Sequence, residues 1–147
     1  LKALHAELVG VNVHAESWEE AIRYGGNLLV QAEMVEPRYV EAMIDNIKKL
    51  GPYVVIAPGV AMPHARPEDG VLKKGISFVH LREPVAFGKN AEQHVNLVIC
   101  LGATDSSSHL DLLQDIAEVM GNVTTLNRLK EVKSVDEVLH YFQKGEA

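Results

Sequence analysis

The chain has 147 residues, with 14 Lys and Arg against 20 Asp and Glu, for a formal charge of -6. That length suits one domain spanning 1–147, and 47% hydrophobic with 23% charged residues is ordinary globular composition, which argues against disorder. The acidic balance speaks against an unaided nucleic-acid binder, the single cysteine excludes an internal disulfide or a Cys-cluster zinc site, and no apolar run approaches the ~20 residues of a membrane span. The opening residues lack a basic region followed by an apolar stretch, so no signal peptide is expected. With one cysteine and no targeting signal, the expected setting is cytoplasmic.

The first fifteen residues read as a short lead-in. Ser17 followed three positions later by Glu20 is a capping-box start. Trp18, Ala21, Ile22, Leu28 and Leu29 then recur at roughly helical spacing, with Gly25 and Gly26 marking close packing. Pro37 suits the first position of a second helix, with Tyr39, Val40, Met43, Ile44 and Ile47 as its apolar stripe and Gly51 as its stop. Val54 to Ile56 is a short apolar run. Gly75 to Leu81 and Val95 to Leu101 read as buried strands, and Glu83 to Phe87 as a short edge strand that tolerates Pro84. The last third returns to helix. Leu110, Leu113, Ile116, Ala117 and Met120 form one stripe, a short helix surrounds Leu126 and Leu129, and Ser134 with Glu137 opens a last helix through Val138 and Phe142. Helices flanking a central group of strands give an α/β layered domain.

Seven histidines are many for this length. His5, His14, His80, His94 and His140 carry no local signal beyond surface or structural roles, with His80 inside a strand pattern. His64 differs. It sits in Ala57-Pro58-Gly59-Val60-Ala61-Met62-Pro63-His64-Ala65-Arg66-Pro67, where three prolines fix φ and restrict the residues before them. Such a loop presents a side chain in one direction, and Arg66, two residues on, shares that side of an extended chain and can fork onto phosphate oxygens. The alternative is a stiff surface loop with an incidental histidine, and the local residues leave both open. His109 follows Ser106, Ser107 and Ser108 at a helix start, where Ser108 and Asp111 have capping-box spacing in its aspartate form. These serines can simply cap the helix, or the exposed N–H groups can serve an anion. If His64 and His109 meet, they make a phosphate-sized site with Arg66, Ser107 and Ser108. Glu68-Asp69 reads as a solvated turn before Gly70. No nucleotide P-loop and no Gly-x-Ser-x-Gly elbow is present, and no third ligand completes a two-histidine zinc site.

The block from Gly51-Pro52-Tyr53 to Gly70-Val71, with Pro-His-Ala-Arg-Pro at its centre, resembles the IIA component of the bacterial phosphoenolpyruvate-dependent sugar phosphotransferase system. The resemblance is to the mannitol–fructose class and most closely to its ascorbate-type branch. Ser17-Trp18-Glu19-Glu20-Ala21, Val35-Glu36-Pro37-Arg38-Tyr39 and Asp105 to His109 match in the same order, so the likeness runs from about Ser17 to the C-terminus. It implies an α/β/α sandwich with a mixed central sheet and a phosphocarrier that uses no cofactor or metal. His64 matches the family's phosphorylated histidine, carrying phosphate on Nε2, and His109 matches its second active-site histidine. The mannitol branch has an arginine at the end of the helix before the active loop. Asn46, Lys48 and Lys49 stand nearest here, and Arg66 is the candidate replacement cation. The implied partners are the histidine phosphocarrier protein as donor and a IIB component whose cysteine accepts. Direct membrane insertion is not expected, and a homodimer is left open. Two other readings stand beside a transport role: a regulatory IIA-type domain, or a IIA for fructose- or mannitol-like sugars. A metal-binding or structural module would instead predict no phosphate uptake by His64. Cys100 lies in an apolar strand pattern and reads as a core residue rather than an acceptor.

Overall fold

A computed structural model describes residues 4–51, 53–87 and 94–144. Leu1 to Ala3 of the lead-in and Pro52 of the matching block lie outside the described residues. Ser17 caps the first helix, its Oγ accepting the Glu20 N–H at 3.2 Å. Helix α1 (Trp18–Gln31) buries Ala21, Ile22, Gly25, Gly26 and Leu29. A Cβ at Gly25 would sit 2.8 Å from Cys100 Sγ, and one at Gly26 would sit 2.7 Å from Val40 Cγ2. The two glycines are therefore the points where α1 lies against the sheet and against helix α2 (Pro37–Leu50). Pro37 takes the first turn of α2, where its missing N–H costs nothing, and Gly51 ends the helix at φ 85°, a value glycine adopts without strain.

Five strands, β1 (Val9–Val13), β2 (Val55–Ala57), β3 (Gly59–Ala61), β4 (Gly75–Ala86) and β5 (His94–Gly102), form one mixed sheet in the order β1-β4-β5-β3-β2. The β1–β4 and β3–β5 pairs are parallel, while β4–β5 and β2–β3 are antiparallel. Alternation along β4 divides the layers. Ser77 faces α1, its Oγ donating to Gly25 O at 2.8 Å. Phe78 faces the opposite side and meets Phe142 edge-on at 5.5 Å between ring centroids. Phe142 belongs to α5 (Val135–Lys144), and α5 follows α3 (Ser106–Met120) and α4 (Val123–Leu129). The result is the expected α/β/α sandwich. Phe78 and Phe142 are both fully buried, and truncating a core phenylalanine to alanine costs about 3–5 kcal/mol.

Several expectations change. Within the first fifteen residues, Val9 to Val13 is an edge strand, not a lead-in. Its register is irregular because Asn12 adopts φ 57° and gives its N–H to His80 Nδ1 at 3.1 Å. His80 Nε2 lies 3.0 Å from Lys130 O, so this buried ring joins β1, β4 and the end of α4. Residues 83–87 do not form a separate edge strand. Glu83 to Ala86 continue β4 past a break in register between His80 and Val85, and Pro84 is exposed in that break, where no ladder donor is required. Strand β3 is too short to have announced itself. In α3 the buried stripe is Leu112, Ile116 and Val119, while Leu110 is 54% exposed and Ala117 is exposed. A leucine-rich helix offers two plausible apolar faces, and the tertiary packing selects one.

Candidate active site

The loop bearing His64 is a continuation of the sheet. Met62 N–H donates to Val54 O at 2.8 Å, Leu101 N–H donates to Pro63 O at 3.0 Å, and His64 bridges in parallel to Leu101. His64 Nδ1 lies 3.0 Å from Met62 O. A carbonyl only accepts, so Nδ1 carries the proton and Nε2 of the neutral ring keeps its lone pair. The ring forms a T-shaped pair with Tyr53, 6.1 Å between centroids and 82° between planes.

The peptide that follows is held by α2. Ala65 N–H donates to the Tyr39 hydroxyl at 2.9 Å, and that hydroxyl donates to Leu101 O at 2.6 Å. Asn46 Nδ2 donates to His64 O at 3.4 Å. Burial pushes the Tyr39 phenol well above its ordinary pKa, so it remains a donor at any ordinary pH. Beyond it, Arg66 N–H donates to Asp69 Oδ2 at 2.9 Å in a 3-10 turn over Pro67–Asp69, and Arg38 Nη1 donates to Glu68 O at 2.9 Å. Glu68-Asp69 thus forms the turn before Gly70, which sits at φ 129°. Arg66 is exposed, and among the described residues its guanidinium makes no hydrogen bond or ion pair.

From Leu101 the chain runs into α3. Asp105 is the N-cap, and its Oδ1 accepts the Ser108 N–H at 2.7 Å. Ser108 Oγ accepts the Asp105 N–H at 3.1 Å and the Thr104 N–H at 3.0 Å, and it donates to Asp105 O at 3.1 Å. The capping box is therefore Asp105 with Ser108, not Ser108 with Asp111. The correction has a physical reason: Asp105 precedes the first helical residue, and a carboxylate there holds a backbone N–H more strongly than a serine within the helix can. Those hydrogen bonds hold the Asp105 carboxyl below its usual range, and they engage the buried Ser108 hydroxyl fully. Ser107 remains exposed.

This cap places His109 with its ring centroid 5.4 Å from that of His64, at 58° between planes. Both rings are partly buried. Burial, and then the neighbouring His64, hold the His109 imidazole below its ordinary pKa. In the neutral form of the His64 ring the arrangement presents a free Nε2 beside an imidazole whose cation is disfavoured, which suits accepting a phosphoryl group and steadying its oxygens. The remaining histidines stand apart. His14 Nε2 is 3.7 Å from Glu16 Oε1, and His5, His94 and His140 are exposed. Cys100 is fully buried, its thiol pushed up to about 12 by that burial, so it is a core residue and no acceptor. A cleft of about 450 Å³ lies elsewhere, lined by Glu118, Thr125, Arg128 and Tyr141 among others, and neither His64 nor His109 lines it. Among the described residues, no group of three or more His, Cys, Asp or Glu is placed to hold a metal ion, and no helix is long and apolar enough to cross a membrane.

Sequence reasoning does not single out Tyr39 or Tyr53 as parts of this site, and it names Asn46 only as a position near the mannitol branch's arginine. In the sequence Tyr39 reads as part of the apolar stripe of its helix. The available signal was its phenol, because a buried tyrosine hydroxyl needs a partner.

A family model described as phosphoenolpyruvate-dependent sugar phosphotransferase system, EIIA 2, matches residues 2–145. The ascorbate-specific PTS system EIIA component of Escherichia coli K12 is 38% identical over 140 residues, 95% of this chain and 91% of that protein. The solution structure of the mannitol-specific cryptic phosphotransferase enzyme IIA of Escherichia coli superposes with a TM-score of 0.87 at 33% identity, covering 96% of this chain and 95% of that one. The Escherichia coli mannitol enzyme IIA, solved in complex with phosphorylated enzyme IIB, gives 0.84 at 33% identity, covering 96% and 97%.

Proposed function

The chain belongs to the EIIA 2 family of the phosphoenolpyruvate-dependent sugar phosphotransferase system, and from that premise we propose that it is a phosphocarrier for ascorbate or a related sugar, working through His64. The observation that carries this reading is the His64 Nδ1–H bond to Met62 O, which makes Nε2 the nitrogen with the lone pair in the neutral ring, beside His109. In the first half-reaction Nε2 attacks the phosphorus held on a histidine of the small phosphocarrier protein. The new N–P bond forms as the donor's N–P bond breaks, and the electron pair returns to the donor imidazole. In the second, a cysteine thiolate of a IIB component attacks the same phosphorus, and His64 leaves as a neutral imidazole. The transferred group passes in line through a loose transition state, so positioning and charge stabilisation do most of the work. Neutral His109 donates one N–H to a phosphoryl oxygen. Arg66, whose guanidinium is unengaged among the described residues, adds a second donor that is charged, and the exposed Ser107 hydroxyl is a third. Ser108, whose hydroxyl is spent on the cap, contributes by fixing the start of α3.

The ascorbate assignment rests on the 38% identical relative. The IIB role draws on the mannitol enzyme IIA solved with its phosphorylated IIB. The test is reconstitution with phosphoenolpyruvate and the general phosphotransferase proteins. Intact mass rises by about 80 Da, one acid-labile phosphoryl group. His64→Ala abolishes the gain and leaves the circular dichroism spectrum unchanged. A mutant that still takes up one phosphoryl group at the normal rate refutes the assignment. Offering ascorbate-type and mannitol-type IIB proteins as acceptors then reads out the sugar branch.

A further inference from the structure

We infer that Tyr39 and Asn46, two turns apart on α2, are positioning residues that clamp the His64–Ala65 peptide plane and so set the spacing between His64 and His109. Residues seven apart share one face of a helix. Here that face delivers a phenol to the N–H end of the peptide and an amide to its C=O end. The two contacts fix the plane on both sides, and a flip of that peptide would break both. The Tyr39 hydroxyl does more. Its proton goes to Leu101 O at 2.6 Å, while a lone pair receives Ala65 N–H at 2.9 Å. One oxygen thus joins the residue after His64 to the strand end from which the chain turns into α3 and His109. Tyr39 and Leu101 are fully buried, so Leu101 O has no water to replace the phenol, while Ala65 is only partly buried. The Asn46 contact is longer, at 3.4 Å, and Asn46 is only partly buried, so its share is smaller.

The consequence is kinetic. In-line phosphoryl transfer depends on the approach angle of Nε2 and on the distance to the neighbouring donor, and a displacement of about 1 Å costs about 10²-fold. Neither Tyr39 nor Asn46 touches the phosphoryl group. Their loss changes the rate of transfer within the docked pair and leaves partner affinity alone. The inference rests on the phosphocarrier reading for its rate arm only.

The test uses Tyr39→Phe, Asn46→Ala and the double variant of the full chain, in two arms. In the kinetic arm, phosphoryl uptake is measured against phosphocarrier protein concentration. The expected result for Tyr39→Phe is a maximal rate lowered about 10- to 100-fold at an unchanged half-saturating concentration, and a smaller drop for Asn46→Ala. Because both act on one peptide, the double variant loses less than the product of the two single losses. In the second arm, which needs no phosphoryl transfer, NMR follows the Ala65 amide and the His109 ring titration. Tyr39→Phe should expose the amide to faster exchange, and it should move the His109 pKa back toward its ordinary value as the rings separate. An unaltered maximal rate, or a loss confined to half-saturation, overturns the inference while leaving the phosphocarrier reading intact. If wild type takes up no phosphoryl group, that reading fails, and the clamp is judged by NMR. An Ala65 amide and a His109 titration unchanged in Tyr39→Phe then reject it. Asn46→Ala, on the partly exposed face of α2, provides the same readouts should Tyr39→Phe fold poorly.

Discussion

Around His64 the backbone finds its partners far away in sequence. Ala65 N–H reaches Tyr39, His64 O receives Asn46, and Pro63 O receives Leu101. Around His109 the partners are neighbours: Thr104, Asp105 and Ser108 satisfy one another within four residues. His64 is therefore held by the tertiary structure, and the start of the helix that carries His109 by a local cap. A group that must attack along one line benefits from a frame that local fluctuation does not reach. A group that only donates to an oxygen tolerates a local support. The difference also explains why each segment uses its own residue types, with proline and long-range hydrogen-bond partners at the first and a short carboxylate–hydroxyl exchange at the second.

The largest effect expected on this comparison comes from His109→Ala. Losing a donor to the phosphoryl oxygens slows one or both half-reactions by about 10²–10³-fold, with no phosphate found on residue 109 in the native protein. Stopped-flow or quenched mass measurements of both half-reactions check this, and unaltered rates in both remove His109 from the mechanism. The same residue carries a pH signature. Its folded-state pKa lies below the ordinary imidazole value because burial and His64 disfavour the cation. Its contribution to stability is therefore complete above the ordinary pKa and is lost as pH falls through the folded value. Thermal melts between neutral and mildly acidic pH should show a steeper acid loss in wild type than in His109→Ala, and parallel curves would contradict the assignment.

Arg66→Lys is the next step down. A planar guanidinium makes two parallel bonds to phosphate oxygens, and an ammonium cannot. At this exposed position the phosphohistidine lifetime of the isolated protein should shorten roughly twofold to fivefold. An unchanged lifetime combined with a strongly altered salt dependence of transfer would make Arg66 a docking residue instead. The smallest effect belongs to Asp105→Ala, which removes the cap and nothing distant. Tm falls by a few degrees, and the Ala65 amide signal stays where it was. A shift at Ala65 in this variant would show that the two supports are not independent after all.

Much of this was legible beforehand, and for identifiable reasons. The Ser17 cap, the Pro37 start and the Gly51 stop depend on one to four consecutive residues, so their chemistry reads directly off the chain. The strands Gly75 to Leu81 and Val95 to Leu101 announced themselves as buried runs. The proline-fixed loop drew attention to His64, and the serines at the start of α3 drew attention to His109. What failed was anything whose partner lies far along the chain. Strand β1 exists because β4 lies beside it, and its Gly10 and Asn12 give no strand signal of their own. The cap of α3 is ambiguous in the sequence because Ser108 with Asp111 and Asp105 with Ser108 have the same spacing, and only the point where β5 ends selects between them.

By itself, then, the sequence determined the two histidines, the layered α/β character and most helix starts, because each is written in a few adjacent side chains. The tertiary structure alone decided which face of α3 is buried, that His64 and His109 stand 5.4 Å apart, and which nitrogen of His64 is free. It also gave Tyr39 a task beyond filling the core. These depend on where β5 ends relative to α2, and that relation is set by the packing of α1 through Gly25 and Gly26, across separations that no local pattern of residues records.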